Sequence, residues 1–279
     1  MRRTSSQSSV RRNDRGVSPA ISTVILTGVI VVLIIIAVVF ANNFLNTQIA
    51  QSDFSAMEQF MQTAALQLDN VAWTIGRTQT LSYTSKYGQV NFQTAALSYA
   101  VYNGTSKVAI LTNTTGIILF NVPTNAYSIS NNYFQRIPPS SSGSFLQQGT
   151  SATIAQVFAV EKLPMFDGSY VRVVLAPTIR MLNSTIGSQR YYEFYLPCLV
   201  QGSHPYYTQS ITIATQNVAT ISVANPTVIN VTVTFPNAAL GFSSSFFNFH
   251  STTVSVHIQS GSIVEFYIGE VIVSLGLYA

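Results

Sequence analysis

The sequence predicts an α+β protein: a long hydrophobic N-terminal α-helix followed by an all-β domain. Two observations predict it. No Lys, Arg, Asp or Glu occurs between Arg15 and Asp53, and residues 24–41 are almost wholly apolar. A bilayer core asks for about 20 such residues in a helix. Beyond Gly76 the hydrophobic period changes from helical to two, the mark of half-buried strands. The 279 residues hold one or two domains.

The helix comes first. Ser18 serves as its N-cap, and Pro19 suits the first turn, where a missing N–H costs nothing. Residues 19–41 supply a membrane span. The helical pattern then continues: Ala50, Phe54, Met57, Met61, Ala64, Leu68, Val71 and Ile75 are spaced 4-3-4-3-4-3-4. That spacing is an a/d seam, with Asp53, Gln59, Gln62, Gln67 and Asn70 lying off it. Gly76 follows as a natural stop. Asn42-Asn43 and Asn46-Thr47 are soft points, but no breaker interrupts residues 20–75. A continuous helix over residues 19–75 would be about 85 Å long. Ser22, Thr23, Thr27 and Gly28 would let neighbouring helices approach closely. The seam has two possible uses, contact with other copies or packing on the chain's own domain.

The β domain spans residues 77–279. Within 227–235, Ile229, Val231, Val233 and Phe235 alternate with Asn230, Thr232 and Thr234. Within 253–259, Val254, Val256 and Ile258 alternate with Ser255 and His257. Further strands are expected at 79–85, 90–102, 107–112, 117–122, 152–160, 169–176, 190–196, 209–216, 219–224, 262–268 and 270–277. Asn103-Gly104 and Asp167-Gly168 read as hairpin turns. About a dozen short strands argue for a β-sandwich of immunoglobulin-like kind. The Pro- and Ser-rich stretch 138–144 is the expected loop or subdomain boundary.

Charge is distributed unevenly. The chain carries 13 Lys+Arg and 9 Asp+Glu, a net of +4. Residues 1–16 hold five Arg and one Asp, which is +4 by themselves; the remainder has eight charges of each sign. The basic pI therefore belongs to the leader and does not signal nucleic acid. Arginines ahead of an apolar span hold the N-terminus in the cytoplasm and direct the residues after the span to the outside.

Arg11, Arg12 and Arg15, then Gly16, then Val17-Ser18-Pro19 opening the apolar helix, resemble the class III signal peptide of archaeal type IV pilins and archaellins. The resemblance covers roughly the first 45 residues. It implies cleavage between Gly16 and Val17 by a prepilin-type peptidase, so that residues 1–16 are removed and the apolar helix is kept. It implies further that residues 17–75 are transmembrane before assembly and polymerise afterwards as a homopolymer. Its partners would be a pilus assembly ATPase and a membrane platform. The product would be an extracellular cell-surface filament acting in adhesion or cell–cell contact. The bacterial relatives carry a Glu at the fifth mature position; here that position is Ile21, as in the archaeal branch. The alternative is a membrane-anchored surface binding protein, such as a sugar binder, carrying the same leader.

The residue inventory predicts no enzyme, no cofactor and no metal site. The external region has three His (204, 250 and 257) and five acids (Glu161, Asp167, Glu193, Glu265 and Glu270), with no metal-ligand spacing among them. Cys198 is the one cysteine. It can form no intrachain disulfide and reads as a small buried residue. Four N-x-S/T sequons, at Asn103, Asn113, Asn183 and Asn230, are candidate N-glycosylation sites. Asn103 and Asn230 have the better context, a turn and the polar face of a strand. The aromatic groups 191–195, 204–207 and 246–249 offer either a sugar-stacking platform or core packing.

Overall fold

The computed structural model describes residues 19–138, 142–203 and 209–276. The leader positions Arg11, Arg12, Arg15, Gly16 and Val17 lie outside them, as do residues 139–141 of the Ser-rich stretch and His204 with its aromatic neighbours. The chain divides into two units after Asn46.

The first unit contributes the apolar start of the helix α1 (Pro19–Val71). Every described side chain from Ile21 to Ile49 is exposed. Thr27 donates its hydroxyl to the Thr23 carbonyl at 2.8 Å, so this polar group is satisfied within the helix.

The second unit, residues 47–279, contains the remainder of α1 and two curled sheets. Its strands are β1 (Thr78–Ser82), β2 (Gln89–Asn103), β3 (Ala109–Pro123), β4 (Tyr133–Ile137), β5 (Leu146–Gln148), β6 (Ala155–Glu161) and β7 (Tyr170–Pro177). They continue with β8 (Ile179–Ile186), β9 (Gln189–Gln201), β10 (Ser210–Ala224), β11 (Val228–Thr234), β12 (Thr253–His257) and β13 (Ile263–Leu275). One sheet runs β1-β10-β13-β9-β8-β5 and the other β12-β11-β2-β3-β7-β6-β4. The sandwich therefore carries more strands than the seven to nine of immunoglobulin domains. It also includes two parallel pairs, β9 with β13 and β5 with β8.

Two cores hold the unit together. The sheets face each other over Tyr99, Leu119, Phe158, Phe194, Val231 and Phe266, among others. The second core lies under α1, where Phe54, Met57, Met61, Ala64, Leu68 and Val71 meet Phe120, Val157, Val173, Ile211 and Val271. Strands β6 and β7 are buried on both faces because they separate the two cores. Each fully buried aliphatic or Met side chain contributes about 1.5–3 kcal/mol relative to exposure, so the seam fixes α1 firmly to its own sheets. Asp53 adds a polar clasp: its Oδ2 accepts from Ser85 Oγ at 3.1 Å, Lys86 N at 2.7 Å and Tyr87 N at 3.2 Å.

The helix stops four residues before the expected Ile75. Thr215 Oγ1 donates to the Val71 carbonyl at 2.6 Å, and the chain turns into Gly76, which has φ +77 and donates its N–H to Thr215 O. The sheet thus supplies the helix end. Ile75 falls outside the helix and is 64% exposed, so it is no part of the seam.

Three expected strand pairs are single long strands. The expected strands 107–112 and 117–122 fall together in β3, 209–216 and 219–224 in β10, and 262–268 and 270–277, as far as Leu275, in β13. In β10 the periodicity shifts at a bulge between Thr215 and Asn217. In β13 it shifts because Val264 and Phe266 face one core while Val271 and Val273 face the other. Gly269, at that crossover, is needed for close approach: a Cβ there would lie 2.3 Å from the Ala72 carbonyl oxygen. Asn103-Gly104 and Asp167-Gly168 do lie between paired antiparallel strands.

Candidate functional site

Two regions offer chemistry beyond stability. The first is the exposed apolar surface of α1 before Ala50. By length and composition it is the one helix among the described residues able to cross a membrane. Its apolar character continues past the residues a bilayer needs: Phe44, Leu45 and Ile49 are exposed, Phe44 at 56%. The seam behaves oppositely. Ala50, Phe54, Met57, Met61, Ala64, Leu68 and Val71 are each at most 3% exposed, and from Phe54 onward they pack against the chain's own sheets. On the other side of the helix Leu66 remains 51% exposed.

The second is a cleft of about 650 Å³ at the edge of the sandwich. Strand β5 covers β8 only as far as Met181, where the Gly149 N–H donates to the Met181 carbonyl at 3.0 Å. Beyond that point Leu182, Asn183 and Ser184 line the cleft, together with Gln148 and Thr150. Backbone and side chains around Tyr192 and Glu193 of β9 and around Ser255, Val256 and His257 of β12 complete the lining, with Tyr192 and Val256 facing the core and the Glu193 carboxylate on the opposite face of β9. The Ser184 hydroxyl oxygen is buried without a hydrogen-bond partner. Tyr192 accepts from the Gln259 N–H at 3.4 Å. Among the described residues no Lys or Arg lines the cleft.

The four sequons fall into different environments. Asn103 and Asn183 are exposed. Asn113 is half-buried, and the hydroxyl of its sequon partner Thr115 accepts the Leu199 N–H at 2.9 Å in a residue only 2% exposed. The Asn230 amide nitrogen, the atom a glycan would occupy, donates to the Gly104 carbonyl at 2.7 Å. Sequence context favours Asn103 and Asn230; the geometry leaves Asn103 and Asn183 open.

The aromatic groups are mainly packing. Phe246 and Phe247 are fully buried, and Phe249 stacks on Phe247 at 5.7 Å. Tyr192 and Phe194 enter the sandwich core. On the opposite face of β9, Tyr195 stacks against Tyr267 of β13 at 5.0 Å, with Glu193 and Glu265 also in register. The Tyr267 hydroxyl donates to Glu265 at 2.6 Å, and this bond, more than burial, raises its pKa. Cys198 is buried, and its thiol donates to the Thr114 carbonyl at 2.9 Å. Among the described residues no group of three or more His, Cys, Asp or Glu is placed to hold a metal ion.

Strand periodicity alone makes His257 a solvent-facing residue and gives no reason to single out Gln148, Thr150, Ser184 or Ser255. Nothing in the linear chain links these residues. They come from separate segments joined only by strand order. Comparison of the chain with protein-family models, with curated proteins and with solved structures finds no match to any of them.

Proposed function

We propose that the chain is a surface subunit of the type IV pilin kind, inserted in the membrane by α1 and assembled into a filament through the same helix. The observation that carries this reading is the set of apolar side chains Phe40, Phe44, Leu45 and Ile49, spread around the helix and exposed at the end of, and beyond, the span of about 20 residues that lipid covers. A simple anchor would leave these side chains in the headgroup region or in water. Neighbouring helices on more than one side would bury them and gain about 25 cal/mol per Å² of apolar area removed from water. The seam from Ala50 to Val71 is thereby withdrawn from the polymerising surface expected over residues 17–75, because it is occupied within the subunit. The leader supports the same reading: the Arg-rich run, Gly16 and Val17 would present a prepilin-type peptidase with its cut. Assembly would then draw on a cytoplasmic ATPase and a membrane platform, with the β domain displayed for adhesion or cell–cell contact.

The cleft favours a second reading, a tethered binding protein that uses α1 only as an anchor. Negative-stain microscopy of shear-released surface material, with mass spectrometry of the N-terminus, separates the two. Filaments built from a chain that starts at Val17 support the subunit reading. Unprocessed, solitary chains support the tether. Gly16→Leu should block processing, because the peptidase must approach an extended backbone there.

A further inference from the structure

We infer that the Asn225–Pro226 peptide bond is a site of self-cleavage, in which the Asn225 side-chain nitrogen attacks its own backbone carbonyl. Residues 225–227 carry the chain from one sheet to the other. Ala224 ends β10, paired with Ile263 of β13, and Val228 opens β11, paired with His257 of β12. Both flanks of the bond are pinned. The Asn225 N–H donates to the Ser262 carbonyl at 3.2 Å, and the Thr227 carbonyl accepts from the Ile258 N–H at 2.9 Å. Pro226 is buried between them. Held in this way, Asn225 has φ +53. A following proline pushes a residue toward extended backbone with negative φ, so the ring and the sheets make opposite demands on Asn225. Among the described residues it is the one non-glycine residue with positive φ that precedes a proline. Such strain persists only where the surroundings over-determine it, and here sheet bonds on either side do so.

The two residue types select the reaction. At an ordinary Asn–X bond the N–H of X attacks the side-chain carbonyl, and deamidation results. Proline has no N–H, so that route is closed. The reverse attack remains open: Asn225 is exposed, and its side-chain amide is held by no hydrogen bond among the described residues. A bond forms from Nδ2 to the backbone carbonyl carbon and closes a succinimide ring. The bond from that carbon to the Pro226 nitrogen breaks, and the proton lost by Nδ2 ends on the proline nitrogen. Water then opens the ring, so the pieces together weigh the parent plus one water. Release of the strain should make the folded chain react about tenfold to a hundredfold faster than the unfolded one.

The cut would leave the β unit assembled. The piece beginning at Pro226 carries β11, β12 and β13; β13 pairs with β9 and β10, and β11 pairs with β2. The product is a β unit of two chains with a free proline N-terminus between the sheets, whether or not the subunit polymerises.

The test follows the full chain, kept folded in detergent at neutral pH with protease inhibitors, by denaturing electrophoresis and intact mass. Two pieces should accumulate at a rate independent of protein concentration, one ending at Asn225 and the other beginning at Pro226. They should stay together until denatured. The same chain held in denaturant should cleave at least about tenfold more slowly. Asn225→Gly accepts the positive φ without the nucleophile, so it should fold like the parent and stay intact. Pro226→Ala restores the N–H, so cleavage should stop and deamidated Asn225 should appear in its place. A parent that stays whole through months of incubation overturns the inference. So does cleavage as fast in denaturant as in the folded chain, or a cut at this bond in either variant.

Discussion

Asp69, near the end of α1, and Arg180 of β8 form an ion pair at 2.7 Å that ties the helix to the sheet bearing Tyr195. The pair is embedded: the second Asp69 oxygen accepts from Trp73 Nε1 at 3.0 Å, and the Arg180 guanidinium lies 5.0 Å over the Tyr195 ring. Trp73 itself meets Tyr195 edge-on at 5.0 Å. Arg180 is only 13% exposed, so removing its carboxylate strands a nearly buried cation. Asp69→Asn should therefore lower the stability of the β unit by about 1–3 kcal/mol. The double change Asp69→Leu with Arg180→Met should recover most of the loss, since no charge is left unpaired. Trp73 is the single tryptophan, and its fluorescence during denaturant titration reads both variants directly.

Gly269 marks the closest approach of helix end to sheet. An alanine methyl there would sit 2.3 Å from the Ala72 carbonyl oxygen and 3.1 Å from the Trp73 ring. The first neighbour is backbone and cannot swing aside. Gly269→Ala should cost about 1–3 kcal/mol, the usual range for overpacking, and should shift the Trp73 emission. Gly28→Ala, with no atom within 4 Å of the new methyl, should leave the melting of the β unit unchanged.

The helix and the period-two body were legible because each repeats one local rule over many residues. The seam from Ala50 to Val71 was legible for the same reason, but its partner was not. A 4-3 spacing states that one face is buried and is silent on whether a sheet or another helix covers it. Ile75 continued the spacing by coincidence, since the stop is imposed by Thr215, a residue 144 positions from Val71. The edge strand β5 has three residues and β8 carries Arg180, Asn183, Ser184 and Thr185; neither leaves enough alternating apolar signal to be read. The cleft was illegible outright because its walls meet only through the order of strands in the two sheets.

The two halves of α1 should respond oppositely to mutation. Met61 is fully buried against the sheets, so Met61→Ala should destabilise the β unit by about 2–5 kcal/mol. Assembly should remain possible wherever that unit is folded. Phe44→Ser with Leu45→Ser touches no core residue and should leave the melting of the β unit unchanged while reducing filament yield. Ile34→Asp with Ile35→Asp should abolish both membrane insertion and filaments. Persistent filaments in the Phe44 and Leu45 double variant would remove these side chains as an assembly surface.

Cys198 provides a pH-dependent readout of the folded β unit. Burial, assisted by the Glu270 carboxylate, pushes its thiol from 9.0 up to about 11. At pH 8 an ordinary thiol is about one-tenth thiolate and this one about one-thousandth, so alkylation of the native chain should be about a hundredfold slower than after unfolding. The same shift sets a sign for stability. Below pH 9 both states keep the proton and the residue contributes no slope. Between pH 9 and 11 the unfolded chain loses its proton first, so the unfolded state binds fewer protons and stability falls as pH rises. Above 11 both states are ionised and the slope vanishes. Cys198→Ala removes the group, so the difference in unfolding free energy between parent and variant should be flat from pH 7 to 8.5. It should then move against the parent between 9 and 11, as read by Trp73 fluorescence in parallel titrations. A difference that stays flat across that window would place the thiol in contact with water and contradict its burial beneath Thr114.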